Sequence, residues 1–209
     1  MTQRTPLPRM RRPLVAILRG LRREEAMAIF EVLVDEGFEA IEVPLNSPDP
    51  FRTIKAAVDE FGQSALIGAG TVLEPENVDR LADIGAKLVV TPNTDPAVIG
   101  RAVRHDMIAM PGVFTPTEAL HAWKSGASAL KFFPAGILGV AGITAIRTVL
   151  PAEAKVAAVG GVSEVDFHNY IQAGIEIFGL GSSLYKPGLG AAEVRARAKT
   201  IIQTYDASR

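Results

Sequence analysis

The sequence predicts an α/β fold, a single-domain (β/α)8 or TIM barrel. Three observations predict it. Eight short apolar runs follow one another along the chain. They lack strict polar alternation, as parallel strands buried on both faces should. Between them lie helical patterns, four of which end in a glycine followed closely by the next apolar run. These are Gly37, Gly85, Gly126 and Gly174, spaced 48, 41 and 48 residues apart. A glycine just past a helix supplies the left-handed conformation that other residues resist. Finally, eight strand–helix units of about 25 residues each nearly consume the chain, at the small end of the usual barrel size. A doubly wound open sheet is the competing architecture. It is disfavoured because no GxGxxG follows the first strand.

Taken in order, residues 1–12 are basic and Pro-rich and read as a flexible arm ahead of the barrel at 13–209. They lack the apolar stretch of a secretion signal. The expected strands are Leu14–Leu18, Ala40–Val43, Leu66–Ala69, Leu88–Val90, Ile108–Met110, Ala129–Phe132, Val156–Val159 and Ile177–Leu180. Helix starts are marked by Asp95-Pro96, by the capping-box spelling Thr115-Pro116-Thr117-Glu118, and by Ser163.

Lys and Arg total 22 against 23 Asp and Glu, a formal net charge of -1. That balance argues against a nucleic-acid partner, which normally meets a basic stripe. Cysteine is absent, which excludes disulfides, cysteine nucleophiles and cysteine–zinc sites. No apolar run approaches the ~18 residues a spanning helix needs, so no membrane partner is expected. The expected location is the cytoplasm.

A barrel keeps its chemistry at the C-terminal ends of the strands and in the loops after them. Lys87 and Lys155, at strand starts, belong to the opposite face. Lys131 is the outlier, since it lies inside the sixth strand beside Phe132, Phe133 and Pro134. A solvated strand-end lysine or a structural ion pair would account for it. The sharper reading is a Schiff-base lysine. At an unperturbed pKa of ~10.4, well under 0.1% of an amine is neutral at pH 7. An apolar wall raises the neutral fraction by desolvation. Glu42 alternates with Ile41 and Val43 on the second strand. If that pair faces the helices, Glu42 points into the barrel. There it is a structural partner for an ammonium or a general acid–base.

Gly160-Gly161 and Gly179-Leu180-Gly181-Ser182-Ser183 end the last two strands. Paired glycine turns opening onto helix starts, with Ser182 and Ser183 as hydroxyl donors, point to a phosphorylated ligand. Arg19 ends the first strand and is a candidate clamp for a carboxylate or phosphate. Thr71 ends the third strand, where its hydroxyl suits a substrate carboxylate. The histidines, His105, His121 and His168, fall in or at the ends of helices. With no Cys either, neither a metal site nor a cofactor is expected.

Several of these segments together resemble the class I 2-keto-3-deoxy-6-phosphogluconate and -6-phosphogalactonate aldolases. They are Ile17–Gly20, Ile41–Pro48, Gly68–Leu73, Val90–Asn93, Lys131–Pro134 and Val159–Val162, in the same order and spacing. The resemblance spans roughly residues 13–188. It implies a homotrimeric (β/α)8 barrel that cleaves a phosphorylated keto-deoxy sugar acid to pyruvate and D-glyceraldehyde 3-phosphate. It maps the Schiff-base lysine onto Lys131, the acid–base glutamate onto Glu42 and the pyruvate-side threonine onto Thr71. Phosphate binding falls to Gly160, Gly161, Gly181 and Ser182. Arg19, Asn46, Pro92, Phe133 and Val159 are expected against the substrate.

Two departures bear on the substrate. Asn46 and Val159 stand where the gluconate enzymes typically carry Arg and Thr, which favours the galactonate branch. The Lys131-Phe132-Phe133-Pro134-Ala135 spelling is commoner in the gluconate branch, and Phe114 is a bulky residue expected near the mouth. The alternative activity is a 2-dehydro-3-deoxy-6-phosphogluconate aldolase, or a phosphosugar isomerase or synthase on the same phosphate-binding barrel.

Overall fold

The computed structural model describes residues 4–209. Nine parallel strands form one sheet in the order β5-β4-β3-β2-β1-β9-β8-β7-β6. They are β1 Leu14–Ile17, β2 Ala40–Pro44, β3 Leu66–Gly70, β4 Leu88–Val90, β5 Ile108–Met110, β6 Gly112–Val113, β7 Leu130–Phe132, β8 Val156–Val159 and β9 Ile177–Leu180. The eight expected strands are therefore present. The ninth is a split: β5 pairs with β4, and β6 pairs with β7. Pro111 lies between them and has no N–H to give to a ladder, so one barrel strand becomes two pieces. Through it the sheet closes on itself, apart from that break.

Among the described residues eight α-helices surround the barrel: α1 Arg23–Asp35, α2 Pro50–Phe61, α3 Pro75–Asp83, α4 Pro96–Arg104, α5 Pro116–Ser125, α6 Ala135–Arg147, α7 Phe167–Gln172 and α8 Ala191–Ala207. Their starts follow from local chemistry. Thr115 Oγ1 accepts from Glu118 N at 3.3 Å, and Glu118 Oε2 accepts from Thr115 N at 2.8 Å. Asp95 Oδ1 accepts from Ala97 N at 2.7 Å. Gly37, Gly85, Gly126 and Gly174 all have positive φ, between 74° and 106°.

Strand alternation divides the apolar residues into two layers. Leu14, Ala16, Ile41, Val43, Leu130, Phe132, Phe178 and Leu180 pack outward against the helices. Val15, Ala40, Leu88, Val90, Ile108, Met110, Ala129, Ala157, Val159 and Ile177 fill the lumen. A period of two thus assigns Glu42 and Lys131 to the lumen, because their neighbours on both sides point outward.

The described part of the 1–12 arm, residues 4–12, crosses the N-terminal mouth of the barrel without regular structure. Residues 1–3 lie outside the described residues. Leu7 and Met10 pack on the lumen layer from below. Arg4 donates to Ala127 O at 2.7 Å and to Trp123 O at 2.8 Å, and its guanidinium stacks 3.3 Å from the Trp123 ring centroid. Arg12 Nε donates to Asp206 Oδ1 at 2.7 Å. Among the described residues no helix is long and apolar enough to cross a membrane.

Candidate active site

A cavity of about 380 Å³ opens at the C-terminal ends of the strands. Of the residues expected there, Arg19, Glu42, Thr71, Pro92, Lys131, Phe133, Val159, Gly160, Gly161, Gly181 and Ser182 line it, and Asn46 does not. Phe114 is exposed and also stands outside the lining. Ile17, Val162 and Ser163 line the cavity without having been expected. Ile17 could have been found by counting two residues back from Arg19 along the lumen face of β1. Val162 and Ser163 simply continue the glycine turn.

Among the described residues Glu42 and Lys131 are the two buried charged side chains, 2% and 6% exposed. They start from β2 and β7. The path between those strands runs through β1, β9 and β8, half-way round the barrel, so the two side chains approach across the lumen. The lumen floor beneath them is apolar. Desolvation pushes the Lys131 ammonium down to about 8; Glu42 opposes this and the Arg19 charge adds to it. Desolvation pushes the Glu42 carboxyl up to about 7, opposed first by Lys131 and then by Arg19. Glu42 Oε2 is buried with no hydrogen-bond partner. Lys131 Nζ also lies 4.8 Å from the Phe133 ring centroid, over its face.

Room for the glutamate comes from a missing side chain. A Cβ on Gly70, the last residue of β3, would stand 1.9 Å from Glu42 Oε2. The residue after it, Thr71, adopts φ 54°. A β-branched residue in the left-handed region costs on the order of 1–3 kcal/mol and is held only where the surroundings dictate it. Its hydroxyl lies 3.4 Å from Arg19 Nη2, and Arg19 Nη1 donates to Asn46 Oδ1 at 2.9 Å.

The opposite end of the cavity is built of backbone. Gly160 and Gly161 follow β8 with φ 84° and 72°. Both lie in the left-handed region that residues with a side chain resist, and both line the cavity. Gly161 packs on Gly136, where an added Cβ would meet Gly136 Cα at 3.3 Å. At Gly181 an added Cβ meets nothing within 4 Å. Protein packing therefore does not demand glycine there, whereas close approach of a ligand would. Ser183 Oγ is buried without a partner.

His105 pairs with Asp79 at 2.7 Å on the outer helices, away from the cavity. Among the described residues no three His, Cys, Asp or Glu side chains converge in a metal-binding arrangement. What the cavity combines is an amine pushed down to about 8, a carboxyl pushed up to about 7, a guanidinium and two glycine turns. That set suits imine chemistry on a phosphorylated keto acid.

Comparison with known proteins agrees in kind. The family described as "Aldolase: KDPG and KHG aldolase" matches residues 9–199. The chain is 60% identical over 204 residues to a probable 2-dehydro-3-deoxy-6-phosphogalactonate aldolase of Rhizobium meliloti (strain 1021), covering 98% of this chain and 96% of the relative. It is 47% identical over 193 residues to the 2-dehydro-3-deoxy-6-phosphogalactonate aldolase of Escherichia coli (strain K12), covering 92% and 94%. A solved structure described as native KDPGal superposes with a TM-score of 0.94 at 45% identity, covering 96% of this chain and 97% of that one.

Proposed function

The chain belongs to the KDPG and KHG aldolase family, and from that premise we propose that it is a class I aldolase of the galactonate branch. It cleaves 2-dehydro-3-deoxy-6-phospho-D-galactonate to pyruvate and D-glyceraldehyde 3-phosphate. The observation that carries this reading is the presence of the two buried charges, Lys131 and Glu42, in one cavity that two glycine turns also line. The names of the two relatives, at 60% and 47% identity, support the galactonate epimer.

The neutral amine of Lys131 attacks C2 of the keto acid, and loss of water from the carbinolamine gives the iminium. Arg19 and Thr71 hold the C1 carboxylate, while Gly160, Gly161, Gly181 and Ser182 hold the phosphate. Anchored at both ends, the substrate has its C3–C4 bond fixed over the lumen. Glu42, acting through a water, takes the proton of the C4 hydroxyl. The C3–C4 bond breaks, its electron pair moves into the iminium, and the aldehyde leaves. The resulting enamine is protonated at C3 and hydrolysed, which releases pyruvate and frees Lys131 for another turnover. Pro92 and Phe133 keep the amine's surroundings apolar, and Val159 lies against the reacting carbons.

The test is a cleavage assay on both C4 epimers, with mass spectrometry after borohydride reduction in the presence of pyruvate. Cleavage with a trapped pyruvate adduct is expected. Turnover without any adduct would point instead to an isomerase or synthase. The family resemblance also supports a cytoplasmic homotrimer, which analytical ultracentrifugation would test.

A further inference from the structure

Asn46 is exposed and outside the cavity lining, yet its side chain is committed. Its Oδ1 accepts from Arg19 Nη1 at 2.9 Å. The other terminal nitrogen of Arg19 points to Thr71 Oγ1 at 3.4 Å. Next to Asn46, Ser47 Oγ accepts from Gly20 N at 2.9 Å, so the turn after β2 grips the turn after β1 at two adjacent points. The gripping turn is itself fixed, since Ser47 N donates to Pro44 O at 2.9 Å and Leu45 N donates to Gly70 O at 2.8 Å. Arg19 makes no ion pair with a carboxylate among the described residues, so its charge is uncommitted. An exposed arginine at a rim otherwise samples many rotamers.

We propose that Asn46 is a positioning residue, a neutral acceptor that aims the Arg19 guanidinium toward Thr71 for the carboxylate of the keto acid without neutralising it. The proposal rests on the aldolase reading above, and it assigns Asn46 no contact with substrate. Neutrality is the chemical point. An aspartate in the same place would accept the same hydrogen bond, but it would pair with the guanidinium and set an anion beside the incoming carboxylate.

The experiment measures borohydride trapping of pyruvate as a function of pyruvate concentration, which separates half-saturation from maximal rate. Losing a charge-assisted bond that only orients Arg19 should raise half-saturating pyruvate roughly 3- to 10-fold in Asn46→Ala, with the maximal rate within about twofold. Asn46→Asp should raise it further than Asn46→Ala. In an Arg19→Ala background Asn46→Ala should change almost nothing, because the residue it positions is gone. Asn46→Asp matching the unmodified protein, or additive effects in the double variant, would overturn the proposal alone. An unmodified protein that forms no adduct would overturn the aldolase reading and this proposal with it.

Discussion

Glu42 and Gly70 share one volume: the carboxylate lies where a side chain on Gly70 would stand, 1.9 Å from the position of its Cβ. Gly70 is held in register with Pro44 of β2, so the backbones are tied at the contact. The carboxylate is the movable partner.

Gly70→Ala should therefore expel the Glu42 carboxylate while leaving Glu42 in the chain. Gly70 has no positive φ, so alanine fits its backbone. Turnover should fall toward that of a variant lacking the acid–base, a loss of ~100- to 10,000-fold. Circular dichroism should still show the folded barrel. Near-normal turnover would mean that the carboxylate works equally well from a displaced position.

Glu42→Gln preserves shape and burial but cannot exchange protons. It should retain the fold and lose activity over the same ~100- to 10,000-fold range. Pyruvate should still become trapped on Lys131, more slowly, whereas Lys131→Ala should give no adduct at all. An adduct that survives on Lys131→Ala would assign the imine to another amine.

The pH dependence follows from the directions of the two shifts. Lys131 sits at about 8, below its ordinary 10.5, so the acid limb of trapping should have its midpoint near 8. The charged groups facing it are Glu42, which raises its pKa, and Arg19, which lowers it. Glu42→Gln should move the limb to lower pH, and Arg19→Ala should move it to higher pH. Stability has its own sign. Between about 8 and 10.5 the unfolded chain holds a proton that the folded Lys131 has lost, so folding gains with rising pH there. Between 4.5 and about 7 the folded Glu42 holds the extra proton, so folding weakens as pH rises. Urea titrations across both windows, compared with those of Lys131→Met and Glu42→Gln, would reveal either slope as wrong.

Val159 bears on the choice between C4 epimers. It is 5% exposed, lines the cavity and lies against Gly179, where an added Cβ would stand 2.6 Å from Val159 Cγ2. Val159→Thr keeps that shape and adds one hydroxyl. A single hydrogen bond is worth about 0.5 to 1.5 kcal/mol, roughly 2- to 13-fold. The ratio of kcat/KM values should shift toward the gluconate epimer by that factor. A shift the other way would remove Val159 from the discrimination.

Much of this is legible in the sequence. Each expected strand is found to within a residue at each end because buried parallel strands are written as contiguous apolar runs. Lys131 and Glu42 were legible for the converse reason: a charge inside such a run violates its pattern. The break at Pro111 is not legible, because a two-residue strand carries no periodicity. Nor was the role of Gly70, since one chain does not say which neighbour fills the space a glycine leaves. Asn46 stands out by its type, but its partner depends on how two turns far apart in sequence meet. Arg4 and Trp123 are separated by 119 residues, and nothing in either segment announces the other.

That last contact has a practical consequence for spectroscopy. Trp123 is the chain's single tryptophan. It lies on α5, outside the cavity, beneath the Arg4 guanidinium. Indole emission from this protein is thus a gauge of whether the N-terminal segment is seated. A melt followed by fluorescence would register its release, while one followed by ellipticity would register loss of the helices. The two curves need not coincide, and release of the segment ahead of the helices would separate them in a way that a single-transition fit reads as a folding intermediate. Arg4→Ala should remove that discrepancy, leaving emission and ellipticity to report the same transition.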